Sequence, residues 1–241
     1  MNIETTNAPN TTETAIGFIP CYRLPFLSLF HADCMEIMKQ YPDKYFDLAI
    51  VDPPYGIGAA KQIDLGNSNK KVKHKTKDWD NTIPTAEYFA ELFRVSKNQI
   101  IWGGNYFIEH LKNTRCFIVW NKENGTNNMA DCELAWASFK TSVRMYSGHI
   151  FKGIGNSNYV TIHPTQKPIK LYEWIISNYA KPNDKILDTH FGSGSIALAV
   201  DKANRLDKMN LHLTACEIDK EYIDKAIKRI SESIKQGTLS F

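Results

Sequence analysis

The chain has 241 residues, of which 43% are hydrophobic and 23% charged, a balance that excludes a disordered chain and suits one large domain with insertions. Its net charge of +3 neither requires nor excludes a polyanionic partner. The five cysteines are scattered and never spaced as C-x-x-C. This pattern disfavours a disulfide framework and a zinc site, so we expect no metal and a cytoplasmic location.

The N-terminal segment, residues 1–18, is predicted to be a flexible tail. It is rich in Asn and Thr and has no apolar signal core, so it resembles neither a signal peptide nor an anchor. No apolar run approaches the roughly 20 residues needed to cross a bilayer. Residues 19–241 are predicted to form a single domain, in which a first half (19–146) and a second half (163–235) flank a short linker at 147–162.

Strands alternate with helices in the first half. The apolar patterns predict strands over 27–30, 48–51, 99–102, 116–120 and 134–139, and helices over 34–40 and 86–96. We expect the last two strands to pair antiparallel.

A loop is predicted over residues 57–82, and its central part is strongly basic. Between Lys61 and Lys77 the chain carries six lysines against the single acid Asp64, without any hydrophobic period. Lysines can follow the phosphates of DNA, which gives affinity without sequence information. The lysines expected to bind DNA are Lys70, Lys71, Lys73, Lys75 and Lys77. The alternative is a solvated loop with no partner.

The second half continues the alternation, with predicted helices over 169–179, 195–204 and 220–235 and strands over 185–187 and 211–216. Strands that alternate with helices indicate an α/β fold with a mostly parallel sheet, covered by helices on both faces.

A glycine-bearing turn joins a strand to a helix between Ile186 and Ala197. The next strand ends at Glu217, where a carboxylate can accept hydrogen bonds from both hydroxyls of a ribose. This pattern fits a nucleoside-binding site, and by itself it also fits a dinucleotide such as NAD. Asp188, at the end of the first strand, would repel a pyrophosphate but suits the cationic methionine end of S-adenosylmethionine. The sequence therefore favours S-adenosylmethionine over NAD.

The tetrapeptide Asp52-Pro53-Pro54-Tyr55 directly follows an apolar strand. Two prolines stiffen the loop and remove two backbone donors, so acceptor oxygens remain at the carboxyl edge of the sheet. The Asp52 carboxylate and the Pro53 carbonyl can together bind one amino group, and Tyr55 offers a flat face for an unstacked base. This set of groups indicates transfer of a methyl group to an exocyclic base nitrogen.

These motifs resemble the permuted (β-type) amino-methyltransferase family, which modifies adenine N6 or cytosine N4 in DNA. The resemblance runs from about Leu29 to Ile230. It is carried by four segments: 29–34, 47–56, 163–168 (His-Pro-Thr-Gln-Lys-Pro) and 188–195, together with Glu217-Ile218-Asp219 and Tyr222. The catalytic loop precedes the cofactor loop, which is the circularly permuted order of this family.

The resemblance implies a Rossmann-like S-adenosylmethionine-dependent methyltransferase fold, with a mostly parallel seven-stranded sheet that contains an antiparallel strand. It implies that Asp33 faces the adenine of the cofactor, Glu217 the ribose and Asp188 the methionine end, while Thr165 and Lys167 help to hold the carboxylate. The residues expected to bind the cofactor are Asp33, Thr165, Lys167, Asp188, Phe191, Gly192, Ser193, Gly194, Ser195, Glu217 and Ile218. The implied partner is double-stranded DNA, and the family also allows a homodimer and a companion restriction enzyme.

Two positions depart from the family pattern and bear on the site. Thr189-His190 replaces the usual Pro-Phe, and we expect His190 to make local hydrogen bonds rather than to accept a proton. The segment between Tyr146 and His163, where many relatives carry a target-recognition region, is short. Sequence recognition would then depend partly on the basic loop.

Asp before Pro-Pro-Tyr favours adenine in this family, whereas Ser favours cytosine N4, which remains the alternative target. Methylation of cytosine C5 needs a nucleophilic cysteine in a Pro-Cys loop. The only Pro-Cys pair, Pro20-Cys21, lies before the first predicted strand and away from the active edge of the sheet, so this reaction is disfavoured. An NAD-linked oxidoreductase and an inactive DNA-binding relative are the more distant alternatives. Trp102, Trp120 and Trp136 lie in apolar strand patterns and are predicted to pack in the core.

Overall fold

The structure is a computed structural model that describes residues 17–58, 80–124, 130–148, 162–163 and 165–238. Several predictions from the sequence concern residues outside these ranges: most of the N-terminal tail, the five lysines proposed to bind DNA, and most of the linker at 147–162. No helix in the described ranges is both long and apolar enough to cross a membrane.

One mixed sheet runs through the described part of the chain. Its strands are β1 (Tyr22–Leu24), β2 (Leu27–His31), β3 (Phe46–Val51), β4 (Ser96–Trp102), β5 (Cys116–Asn121), β6 (Cys132–Ala137), β7 (Arg144–Ser147), β8 (Lys185–Asp188) and β9 (His212–Glu217). They lie side by side in the order β1-β2-β9-β8-β3-β4-β6-β5-β7.

Within the described ranges five helices accompany the sheet: α1 (Cys34–Met38), α2 (Ala86–Val95), α3 (Ile169–Tyr179), α4 (Ser195–Leu206) and α5 (Lys220–Thr238). Two short 3₁₀ turns, Gly104–Tyr106 and Ile108–His110, follow β4.

The predicted strand count was wrong, because the described residues form nine strands and not seven. The seven expected strands are present and lie side by side in the order β2-β9-β8-β3-β4-β6-β5. Among them β6 is the antiparallel strand, since it pairs antiparallel with both β4 and β5. The additions are β1, which pairs antiparallel with β2, and β7, which pairs parallel with β5 at the other edge. β7 also occupies Ser147, which had been assigned to the linker.

The core consists of two layers of apolar side chains, one on each face of the sheet. Helices α3, α4 and α5 cover one face, and α1 and α2 cover the other. Strand β3 serves both layers, because Leu48 and Ile50 belong to the first and Ala49 and Val51 to the second. A strand buried on both faces needs a continuous apolar run, which explains the sequence FDLAIV. The predicted helices on both faces are therefore confirmed.

The direction of the strand order reverses between β8 and β3. From β8 the chain passes through α4 to β9 on one side, whereas from β3 it passes through α2 to β4 on the other side. β3, β4, β8 and β9 run parallel, so their carboxyl ends meet at one edge of the sheet. Such a reversal opens a crevice outside the carboxyl ends of the strands, which is where open α/β sheets bind ligands.

Candidate active site

The crevice is lined by carboxylates at the ends of four parallel strands. Asp33 follows β2, Glu217 ends β9, Asp188 ends β8 and Asp52 follows β3. Because these strands are neighbours in the order β2-β9-β8-β3, the two motifs predicted to act together lie on adjacent strands. Among the described residues, no group of three or more His, Cys, Asp or Glu side chains could hold a metal ion.

The Asp52 carboxylate is held through both of its oxygens. The Tyr55 hydroxyl donates a hydrogen bond to Oδ1 at 2.6 Å, and the Lys167 ammonium forms an ion pair with Oδ2. Burial raises the pKa of the Asp52 carboxyl, while Lys167 opposes the rise. Burial likewise opposes the charge on Lys167, but Asp52 and Glu133 outweigh it and hold the pKa of Lys167 above its usual value.

The loop after β3 is fixed by an acid from the start of the next described segment. Asp80 Oδ1 accepts hydrogen bonds from the backbone N–H groups of Tyr55 at 2.7 Å and Gly56 at 3.0 Å. A buried acceptor that binds two consecutive amides gives the stiff loop a defined position. Asp80 was not predicted as a site residue, and its only sequence signal was an acid three residues after the end of the basic run.

The ring of Tyr55 is covered on two sides. It stacks on Tyr106 with a centroid distance of 5.1 Å and an interplanar angle of 16°. Gly103, at the end of β4, has φ of +71°, and a Cβ there would lie 2.3 Å from the Tyr55 ring. Only glycine combines this backbone conformation with so close a contact. Half-exposed Tyr106 therefore covers one face of the Tyr55 ring.

Two further charged residues, which the sequence analysis did not assign to catalysis, extend this cluster. Glu133 on β6 forms ion pairs with Lys122 at 2.6 Å and with Lys167 at 3.3 Å. Burial opposes the charge on Glu133, but Lys167 and Lys122 outweigh it and lower its pKa. The sequence signal for Glu133 was a carboxylate in an otherwise apolar strand, CELAWA.

The carboxylates on the other side of the crevice are held by backbone amides. Glu217 accepts from the N–H groups of Gly192 and Asp219, each at 2.9 Å, and Asp188 accepts from that of His190 at 3.0 Å. Asp33 caps α1 by accepting from Met35 N–H at 2.7 Å. Burial raises the pKa of Asp188 to about 7, and the nearby charges of Asp52 and Glu217 add to the rise.

The glycine turn leads into α4 through Gly194, whose φ is +69°. A Cβ at Gly194 would lie 3.1 Å from both Phe191 and Ile230, so the turn is tightly packed. Ser193 and Ser195 lie at the start of α4, where Arg229 donates to the Ser193 carbonyl at 2.9 Å and to the Ser195 hydroxyl at 3.0 Å. The exposed side chain of Ile218 lies next to Glu217 at the rim.

His190 makes the local contacts that were predicted for it. Its Nδ1 lies 2.9 Å from the Thr189 hydroxyl, which in turn lies 2.7 Å from the Tyr88 hydroxyl. Burial lowers the pKa of His190 to about 4, so its ring is neutral at neutral pH. The core positions predicted for Trp102, Trp120 and Trp136 are also confirmed.

The segment before α3 connects the two sides of the crevice. The His163 ring lies against Tyr222, with a centroid distance of 4.3 Å, and next to Gly192. Thr165 donates its N–H to His163 Nδ1 at 3.3 Å, which keeps it near the glycine turn. Two residues later Lys167 reaches Asp52, so its predicted contact with the cofactor stays a prediction and the structure adds a contact with the catalytic loop.

The described residues have the fold of a Rossmann-like methyltransferase. A family model described as DNA methylase matches residues 136–228. The type II methyltransferase M.HinfI of Haemophilus influenzae is 25% identical over 252 residues, which cover 85% of this chain and 68% of that protein. The type II methyltransferase M2.LlaDCHI of Lactococcus lactis subsp. cremoris is 24% identical over 263 residues, which cover 90% of this chain and 94% of that protein.

A solved structure shares the fold. The PvuII DNA methyltransferase, which is cytosine-N4-specific, superimposes with a TM-score of 0.59 at 14% identity, and the match covers 88% of this chain and 89% of that one. The chain is similar to DNA methyltransferases of the N6/N4 family, through the family model over residues 136–228 and through these relatives along most of its length.

Proposed function

We propose that this protein transfers a methyl group from S-adenosylmethionine to the exocyclic N6 amine of adenine in double-stranded DNA. The observation that carries this proposal is the adjacency of β3 and β8, which brings Asp52 and Asp188 to the same crevice. A donor pocket and an acceptor pocket must be neighbours if an atom is to pass between them.

The cofactor side of the crevice suits a cation. Asp33, Asp188 and Glu217 form no ion pair with any residue that the structure describes. Burial raises the pKa of Asp188 to about 7, so a cation bound beside it would favour its ionised form. We assign the cationic methionine end of S-adenosylmethionine to Asp188 and the ribose hydroxyls to Glu217. Asp33 and Ile218 would contact the adenine of the cofactor. The rest of its methionine part would be contacted by the turn Phe191–Ser195, Thr165 and Lys167.

On the acceptor side, Asp52 and the Pro53 carbonyl bind the N–H bonds of the target amine. Hydrogen bonds to both N–H groups favour a pyramidal nitrogen, whose lone pair is then available for attack. When bound, S-adenosylmethionine supplies a methyl group on sulfur, and the sulfur keeps the electron pair of the broken carbon–sulfur bond. The nitrogen forms the new bond with its lone pair, and its surplus proton leaves to Asp52 or to water.

The target base must leave the duplex to reach Asp52, since the amine is paired inside the helix. Tyr55 would then stack on the extruded base in place of Tyr106, with Pro54 stiffening the loop. The basic loop, with Lys70, Lys71, Lys73, Lys75 and Lys77, would follow the phosphates. The proposed location is the cytoplasm, and the resemblance to this family allows a homodimer and a companion restriction enzyme.

Cytosine N4 is the second candidate target, because its amine presents the same two N–H bonds to Asp52. The Asp of Asp52-Pro53-Pro54-Tyr55 favours adenine by the family pattern.

The test is transfer of tritium from labelled S-adenosylmethionine to duplex DNA, followed by digestion to nucleosides. We expect the label in N6-methyladenine. Label in N4-methylcytosine would overturn the choice of base, and no label in DNA would overturn the proposal as a whole. Base-resolved mapping of modified DNA from cells that express the protein then gives the recognition sequence.

A further inference from the structure

The Asp52 carboxylate already has partners on both oxygens in the absence of DNA. Tyr55 donates to Oδ1 and Lys167 is paired with Oδ2. In the proposed function the amine of the target base must donate to this same carboxylate. Each carboxylate oxygen can accept two hydrogen bonds, so the amine does not by its presence exclude Tyr55 or Lys167. When the amine takes the position that Lys167 now holds on Oδ2, however, the ammonium must move, and an ammonium group that loses its partner in a buried site is strongly unfavourable.

A second acceptor for that ammonium lies within reach. Glu133 Oε2 is 3.3 Å from Lys167 Nζ, close enough for an ion pair. It is buried and makes no hydrogen bond to any residue in the described part of the chain. A small shift of Lys167 Nζ away from Asp52 would align it with this oxygen, and buried acceptors are rarely left without a partner.

Glu133 itself is held in place. Its other oxygen, Oε1, binds Lys122 at 2.6 Å, and its backbone lies within β6, in register with Trp120 of β5. The Lys167 ammonium also lies 5.1 Å from the centre of the Trp102 ring, which limits where it can move. Two acids and two lysines make the cluster neutral before and after the shift, so no charge has to be taken from water.

We propose that Glu133 is a positioning residue that receives the Lys167 ammonium when the target amine engages Asp52. Glu133 thereby frees an oxygen of Asp52 for the base while Lys167 stays paired. This inference rests on the proposed function, because it assumes an amine as the group that binds Asp52.

The first test is Glu133→Gln, which keeps the shape of the side chain and removes its charge. We expect kcat to fall roughly 10- to 100-fold at saturating cofactor, because Lys167 then stays on Asp52 and the amine is misplaced. The KM for S-adenosylmethionine and its equilibrium affinity should not change. The matched control is Glu173→Gln, since Glu173 also binds two lysines, at 3.0 and 2.8 Å, with a similarly shielded side chain, but outside the crevice. This control should keep the wild-type kcat.

A double-mutant cycle separates positioning from a structural role. Because Lys167 is also proposed to contact the cofactor, all variants are compared at saturating S-adenosylmethionine. Lys167→Met should then lower kcat by itself, and adding Glu133→Gln should have no further effect, because Glu133 acts through Lys167. If the loss of kcat in the double variant equals the product of the losses in the two single variants, the proposal is overturned. As a second readout, Glu133→Gln should weaken binding of a duplex with adenine at the target position more than binding of one with purine there, since purine lacks the amine.

The outcomes separate the two proposals. If the wild-type protein transfers no methyl group to DNA, the proposed function fails and this inference with it. If the wild type is active and folded Glu133→Gln equals it, only the role of Glu133 fails. If Glu133→Gln does not fold, as judged by cofactor binding and thermal unfolding, Glu133→Asp takes its place. Its shorter carboxylate should give a kcat below wild type, and a folded Glu133→Asp with wild-type kcat would overturn the role.

Discussion

The two sides of the crevice hold their carboxylates in different ways. On the catalytic side, Asp52 and Glu133 are neutralised by Lys167, which is distant from Asp52 along the chain, and by Lys122, which follows the strand that pairs with β6. On the cofactor side, Asp188 and Glu217 are held by backbone amides of nearby turns. Amides orient a carboxylate without cancelling its charge. In the proposed function a neutral amine would enter the neutral cluster on the catalytic side. A cationic cofactor would bind beside the carboxylates on the other side, where burial raises the pKa of Asp188 to about 7 and a cation would favour its ionised form.

The largest expected effect tests the catalytic side. Asp52→Ala should reduce methyl transfer to DNA by roughly 10³-fold or more, because the principal acceptor for the target amine is lost. Affinity for S-adenosylmethionine, measured by calorimetry, should stay within a few-fold of wild type. Asp224→Ala, which removes an exposed partner of Lys220, is the control and should keep full activity. An active Asp52→Ala protein would remove Asp52 from the chemistry.

The corresponding change on the cofactor side is Glu217→Gln. It replaces a charged acceptor by a neutral one, so we expect cofactor affinity to fall roughly 10- to 100-fold. The kcat at saturating cofactor should change little, because the acceptor side is untouched. Glu232→Gln, at an exposed pair on α5, is the matched control. A drop in kcat with unchanged affinity would contradict the division of the crevice into two sides.

The pH dependence of cofactor binding should report Asp188. Its pKa is raised to about 7, so the folded protein without cofactor binds a proton there that the unfolded chain, with an ordinary carboxyl, has already lost. Only the ionised form pairs with a cationic ligand. We therefore expect cofactor affinity to rise about 10-fold between pH 6 and pH 8, as the proton is released.

Asp188→Asn should bind cofactor more weakly and lose this dependence. The same linkage predicts that stability without cofactor falls as pH rises from the ordinary carboxyl range to about 7, because the raised pKa favours the folded state only while Asp188 is protonated. If cofactor affinity changes equally with pH in the wild type and in Asp188→Asn, another group controls the pH dependence of binding.

The smallest expected effects compare the two glycines with positive φ that border the two sides. Gly103→Ala and Gly194→Ala should each lower the free energy of unfolding by about 1–2 kcal/mol from backbone strain, measured by denaturant titration. Gly103→Ala should also lower kcat, because its Cβ would displace the Tyr55 ring, whereas Gly194→Ala should weaken cofactor binding. If Gly103→Ala weakened cofactor binding and Gly194→Ala lowered kcat instead, the result would contradict the geometry.

The elements that could be predicted from the sequence were those with a strong local pattern. The apolar run of β3, the glycine turn before α4 and the amphipathic helix α2 were predicted because each carries its periodicity or turn chemistry within a few residues. The edge strands β1 and β7 were missed. They have three and four residues, mostly exposed or half-buried, and so are too short for an alternation of apolar and polar positions to identify them.

The sequence by itself determined the class of fold, the order of the two motifs and the edge at which they meet. Strand patterns and the parallel-sheet rule suffice for that, because both depend on local chemistry. Only the tertiary structure decided which charges pair across the crevice. Lys167 lies 112 residues from Tyr55 along the chain, and neither its contact with Asp52 nor that with Glu133 leaves a local signal. Long-range ion pairs depend on how the sheet brings β3, β6 and the segment before α3 together, and that arrangement is a property of the folded chain.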